Sequence, residues 1–159
     1  MCCDGSLFMS AVVRPDEAID RLTSLGLDIF VHQDKPVFRL PCHNLTPDGC
    51  AVYAHRPFTC SHFRCELLKD YEAGKVSFAE AKMIIKQVKT LLTQHDLRAK
   101  LEAIAPVRGL DYRKLLQAVH AAIAEADDPA ALRKTHGQIL IVAMQVVHLL
   151  QSHFYRPSE

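Results

Sequence analysis

Apolar and polar positions follow two different periods along this chain, and the change falls near its middle. In the first part, short apolar runs alternate with polar turns. Residues 7–13 are apolar and end in β-branched side chains, which predicts a strand. Residues 29–31 and 37–40 predict two more strands, joined into a hairpin by the polar turn at 33–36. Between them, apolar positions three and four residues apart predict a helix over residues 15–26.

From about residue 67 onward, apolar positions recur at the spacing of an amphipathic helix. Ser77 followed by Glu80 matches a capping box, which predicts a helix start. A shorter helix is expected over residues 97–104, before Pro106 and Gly109 interrupt the pattern. Two further helices are expected, one capped by Asp111 and one opened by Asp128 and Pro129 that extends to Phe154.

The last predicted helix is apolar on nearly all sides between residues 139 and 150. Such a helix lies either at the centre of a bundle or in an oligomer interface. We expect a core helix, with a homodimer through residues 129–154 as the alternative. The apolar run is too short to cross a bilayer, which requires about 20 residues, so no membrane partner is expected.

Residues 41–65 follow neither period, and this segment is rich in proline, histidine and cysteine. A loop-rich structure is therefore expected there. The fold class predicted for the whole chain is α+β and mostly α. A small cysteine module with a short hairpin, residues 1–66, precedes a helical bundle, residues 67–159, and the two form one compact unit.

All six cysteines of the 159-residue chain lie within its first 65 residues. Thiolates bind zinc, iron and iron–sulfur clusters, and four ligands complete a structural zinc site. Loops of this length close at modest entropic cost, so several of these thiols can meet at one centre. The candidate metal ligands are Cys2, Cys3, Cys42, Cys50, Cys60 and Cys65.

Composition and charge narrow the classes of partner. The net charge of +1 argues against a nucleic-acid binder with a basic face. The N-terminus has no basic region followed by an apolar run, so we expect a cytoplasmic protein whose thiols are reduced or metal-bound rather than paired in disulfides. No phosphate-binding loop, nucleophile elbow or zinc-protease motif is present. We therefore identify no catalytic residue and lean against an enzyme.

The string RPFTCSHFRC, preceded by GCAVYAHRP, resembles the zinc- or iron-chelating family named for its CxxCxxCC signature. In that family, a Gly-x-Cys-x-x-Tyr stretch leads into Arg-Pro-x-x-Cys-Arg-x-Phe-x-Cys. The string CCDGSLF resembles the end of the signature, and Cys42 matches a further family cysteine. The resemblance covers roughly residues 1–95 and implies metal chelation rather than any defined activity. The matching positions of the Arg-Pro block are Cys50, Tyr53, Arg56, Pro57, Cys60, Phe63 and Cys65.

Two features depart from the family pattern. The first two cysteines of the signature have no counterpart in this sequence, and Ser61 followed by His62 replaces the arginine after Cys60. His43, His55 and His62 lie in the cysteine-rich segment, and any of them offers an alternative ligand. We expect them instead to be solvated or to sit beside the ligands, since four cysteines already complete a tetrahedral set.

The leading hypothesis is a cytoplasmic protein that chelates zinc or iron through its cysteines. Within that set, Cys3 is favoured over Cys2, which adjoins the chain terminus. One alternative is an iron–sulfur redox protein, since six thiols exceed the needs of one zinc ion. Another is an enzyme stabilised by a structural metal. If the bound metal is zinc, the leading hypothesis predicts that its removal unfolds the first 65 residues.

Overall fold

A computed structural model describes residues 1–155 of the chain. The chain divides into two compact units, Met1–Arg64 and Cys65–Glu159, each of which is described here by itself. Short antiparallel strands occur in the first unit, and helices make up most of the rest. The prediction of an α+β fold that is mostly α is confirmed.

The first unit contains a three-stranded antiparallel sheet in the order β1-β3-β2. Its strands are β1 (Ser10–Val12), β2 (Ile29–His32) and β3 (Lys35–Arg39), with the short helix α1 (Ile19–Ser24) between β1 and β2. His32 pairs with Lys35, so the hairpin turn consists of Gln33 and Asp34. Both have positive φ, 49° and 59°, as a two-residue turn between twisted strands requires.

The core of this unit lies between the sheet and α1. Phe38 of β3 is completely buried. Apolar side chains from β1, α1 and the hairpin surround it because alternate residues of a strand face the same side. The buried cluster comprises Val13, Leu22, Leu27, Phe38 and Leu40.

The segment after the sheet has more regular structure than its sequence pattern predicts. It contains a two-stranded ribbon of β4 (Leu45–Thr46) and β5 (Gly49–Cys50). A 3₁₀ turn (Tyr53–His55) and the five-residue helix α2 (Phe58–His62) follow. Pro57 is fully buried and immediately precedes α2, where its fixed φ favours a helix start.

The second unit is entirely helical over the residues described. Its helices are α3 (Glu66–Glu72), α4 (Phe78–Gln94), α5 (Leu97–Ile104), α6 (Tyr112–Ala124) and α7 (Pro129–His153). The fully buried side chains come from all five helices, as expected when the apolar face of each is packed inside. They are Leu67, Val88, Leu97, Leu101, Leu115, Val119, Ile123 and Val146.

Helices α4, α6 and α7 start where their capping residues predict. The Ser77 hydroxyl accepts a hydrogen bond from the Glu80 N–H, and the Glu80 carboxylate accepts one from the Ser77 N–H. Asp111 caps α6 by accepting from the Lys114 N–H, and Asp128 caps α7 by accepting from the Ala131 N–H. Each side chain satisfies a backbone donor that the helix itself leaves unpaired.

Three elements differ from the sequence-based expectation. The strand predicted over residues 7–13 contracts to Ser10–Val12, and the first helix begins at Ile19 rather than near Asp16. The helix starts late because the Glu17 carboxylate accepts a hydrogen bond from the Arg14 N–H, which fixes a turn before it. The last helix is not buried on all sides, since its apolar side chains Ile141 and Met144 are 57% and 52% exposed. Over residues 1–155, no helix combines the length and apolar character needed to cross a bilayer.

Candidate functional site

Main-chain hydrogen bonds bring the N-terminal cysteine pair to the cysteine that follows the sheet. The N–H of Cys42 donates to the carbonyl of Cys3, with a separation of 2.8 Å. Beside it, the N–H of Leu40 donates to the carbonyl of Met9 at 2.9 Å. The Leu40–Met9 bond continues the pairing of β1 with β3, and the separate main-chain bond between Cys42 and Cys3 then fixes the position of Cys3 relative to Cys42.

The two-stranded ribbon connects Cys50 to Cys42 through Leu45. Cys50 pairs with Leu45 across the ribbon, and the Leu45 N–H donates to the Cys42 carbonyl at 3.1 Å. The Asn44 side-chain amide anchors the ribbon by donating to the Leu25 carbonyl at 2.8 Å. Local main-chain bonds therefore determine where Cys50 lies.

Cys60 is held differently, through the side chains around it. It lies in α2, where the Thr59 hydroxyl donates to the Val12 carbonyl at 2.6 Å. At the end of that helix, the Phe63 ring meets the Phe8 ring edge to face, with centroids 5.1 Å apart. Helix α2 therefore runs alongside the chain from Val12 back towards Phe8, the same segment that leads to Cys3.

The thiols of this unit influence one another electrostatically. Burial, and after it negative charge on Cys3, Cys42, Cys50 and Cys2, together raise the pKa of Cys60 to about 12. Burial also raises the pKa of Cys3, with charge on Cys42 and Cys50 adding to the effect. Part of the Cys60 residue is exposed to solvent, whereas its thiol is desolvated and lies near four other thiols. Five of the six cysteines thus share one region, which we call the thiol cluster: Cys2, Cys3, Cys42, Cys50 and Cys60.

The cluster is not a preassembled metal site. Among residues 1–155, no three side chains of His, Cys, Asp or Glu are arranged as a ready set of ligands. The mutual effect of the thiols on their pKa values is compatible with the lack of a ready set of ligands. Charges act over several ångströms, whereas a zinc–thiolate bond is about 2.3 Å long. The donor types suit a thiophilic metal, and the thiols would have to draw together around it.

Cys65 stands apart from these five in the division of the chain. It is the first residue of the second unit, directly before α3, and the main causes of the raised pKa of Cys3 and Cys60 are burial and other neighbours. None of the six cysteines is paired in a disulfide. The prediction that Cys65 joins the others as a ligand stays a prediction.

The histidines and arginines of the segment have structural contacts of their own. The His62 ring stacks on Phe58 with centroids 3.7 Å apart, and its Nδ1 lies 2.8 Å from the Ser61 hydroxyl. The Arg56 guanidinium lies over the Tyr53 ring at 3.8 Å. His43 and His55 are exposed. The contacts of His62 favour a place beside the thiols for that residue, and the expectation for His43 and His55 stays a prediction.

Sequence reasoning overlooked Glu17 as a residue of this site. One carboxylate oxygen accepts from the Arg14 N–H at 3.0 Å, and the other accepts from the Phe58 N–H at 2.8 Å. Glu17 thereby joins the turn before α1 to the first residue of α2. A glutamate near a helix start normally indicates only a charge that favours the helix dipole. No local sequence pattern reveals a hydrogen-bond partner 41 residues away.

Comparison with family models, with curated proteins and with solved structures finds no match to this chain. The likeness to the zinc- or iron-chelating family therefore rests on the motif residues alone.

Proposed function

We propose that this protein binds a zinc or iron ion through the thiol cluster of its first unit. The observation that carries the proposal is the convergence of five thiols from distant parts of the sequence, expressed in the raised pKa of Cys60. Cysteines that merely fill a core are not expected to gather in this way. The motif resemblance around Cys60 points in the same direction.

The electrostatics of the cluster explain why a cation would bind there. Burial, together with repulsion between neighbouring thiolates, keeps the metal-free cluster protonated, as the raised pKa of Cys3 and Cys60 indicates. A divalent cation removes that repulsion and takes the place of the protons, so binding releases protons and strengthens as pH rises. The bound ion would also tie together segments that only a small apolar core otherwise holds.

Of the alternatives, an iron–sulfur redox centre is favoured over a metal-stabilised enzyme. Five thiols in one region exceed the four that a single zinc ion requires, and they suffice for a cluster. No arrangement of catalytic groups among the described residues supports an enzyme. Cytoplasmic location is part of the proposal, because free thiols persist in a reducing compartment.

Elemental analysis and visible spectroscopy of anaerobically purified protein test the proposal. About one zinc per chain without visible absorption would support zinc chelation, whereas iron with sulfide and absorption near 400 nm would support the redox centre. Cys60→Ser should lower the metal content, and Ser61→Ala serves as the matched control beside it. Wild-type protein without stoichiometric metal after reconstitution would refute the proposal.

A homodimer through α7 is the further element of the proposal. Ile141 and Met144 lie three residues apart on this helix and are both more than half exposed, so together they present an apolar strip. A second copy is the partner proposed for it. Sedimentation velocity across a range of protein concentrations tests the association.

A further inference from the structure

Cys60 differs from the other thiols of the cluster in what holds it. Main-chain hydrogen bonds position Cys3, Cys42 and Cys50, since Cys42 is bonded to Cys3 and Cys50 lies in the two-stranded ribbon. Helix α2 carries Cys60, and the backbone bonds of α2 stay within the helix and its flanking residues. Cys60 is also the one cysteine of the six that is exposed.

Three contacts join α2 to the segment between β1 and α1. The Thr59 hydroxyl donates to the Val12 carbonyl at 2.6 Å. The Glu17 carboxylate accepts from the Phe58 N–H at 2.8 Å while also accepting from the Arg14 N–H. The Arg14 guanidinium lies over the Phe58 ring at 4.1 Å. In each contact, the partner from α2 is Phe58 or Thr59, which lie two residues and one residue before Cys60.

We propose that Glu17 and Thr59 are positioning residues that hold Cys60 against the thiol cluster, and that Cys60 is the ligand through which metal enters and leaves. This inference rests on the proposed metal-binding function. The physical reason is that side-chain hydrogen bonds can open while the main chain keeps its pairing, whereas displacing Cys3 or Cys42 would break the main-chain bond that joins them. Cys60 is therefore the first of these ligands to release a bound ion.

The substitutions follow from the contacts. Thr59→Val keeps the shape of the side chain and removes the donor to Val12, whereas Thr59→Ser keeps the hydroxyl. Glu17→Gln keeps one acceptor oxygen and replaces the other with an amide group that cannot accept a hydrogen bond from a backbone N–H. Ser61→Ala is the matched control, because the Ser61 hydroxyl bonds only within α2 and to the adjacent His62.

The first measurement is the rate of zinc transfer from the loaded full-length protein to an excess of a chromogenic chelator. Loss of one hydrogen bond of this kind predicts release that is about three- to tenfold faster in Thr59→Val and Glu17→Gln. Thr59→Ser and Ser61→Ala should release zinc at the wild-type rate. Equal rates in Thr59→Val and Ser61→Ala would overturn the inference.

The second measurement needs no metal and separates this inference from the proposed function. Alkylation of each cysteine in metal-free protein is followed by peptide mass spectrometry. Thr59→Val and Glu17→Gln should accelerate alkylation of Cys60 at least threefold relative to Cys42. A general loosening would accelerate both cysteines equally and would overturn the positioning role. If wild-type protein binds no metal, the metal-binding proposal fails, while the alkylation ratio still decides whether Glu17 and Thr59 position Cys60.

Discussion

Replacement of Phe38 by alanine should remove most of the stability of the first unit. Phe38 is completely buried, and its four neighbours in the core are Val13, Leu22, Leu27 and Leu40. Truncation of a buried phenylalanine typically costs about 3–5 kcal/mol, since it removes apolar contact and leaves a cavity. At about 0.05–0.15 kcal/mol per residue, a unit of 64 residues has roughly 3–10 kcal/mol of stability in total.

Hydrogen exchange measured by mass spectrometry on the metal-free protein is the appropriate assay, because it reports on each segment separately. Peptides covering β1 and β3 should lose about 3 kcal/mol or more of protection in Phe38→Ala. Val31→Ala is the control, because Val31 lies in the same sheet but is 73% exposed. Loss of less than about 1 kcal/mol in Phe38→Ala, or equal losses in the two variants, would refute the reasoning about this core.

Three further predictions concern other parts of the chain. Asp111→Ala removes the cap of α6 and should lower the free energy of unfolding by about 1 kcal/mol in urea titration, and an unchanged midpoint would contradict the role of the cap. Alkylation of Cys60 in metal-free protein should stay slow until about pH 10, because burial and neighbouring thiolates raise its pKa to about 12. Since the folded state holds this proton more tightly than the unfolded chain, stability should also fall as pH rises from about 9 towards 12, and rapid labelling at pH 8 would argue against the shift. Ile141→Asp should abolish any dimer seen by sedimentation velocity while leaving the helical circular dichroism unchanged, and a persistent dimer would place the interface elsewhere.

The helical unit could be predicted largely from the sequence because its determinants are local. Ser77, Asp111 and Asp128 each lie three residues before the N–H that they accept from, so the cap and its partner appear in one short stretch of sequence. The apolar spacing between the caps then defines which face is buried. Boundaries were accurate wherever such a cap was present.

The arrangement of the thiol cluster could not be predicted in the same way, because its determinants are distant in sequence. Thr59 reaches Val12 across 47 residues, and Glu17 reaches Phe58 across 41. The cysteine-rich segment has no period that would predict the ribbon or α2. Cysteine spacing suggested a common centre, but it gave no means of distinguishing Cys60, which side-chain contacts hold, from Cys42, which main-chain bonds hold.

X-ray absorption at the metal edge of the purified, metal-loaded protein is the most direct test of the central claim, since it identifies the atoms bound to the metal. Coordination through the thiol cluster predicts a shell made up of sulfur, at about 2.3 Å for zinc. A shell dominated by nitrogen or oxygen would contradict binding through Cys3, Cys42, Cys50 and Cys60.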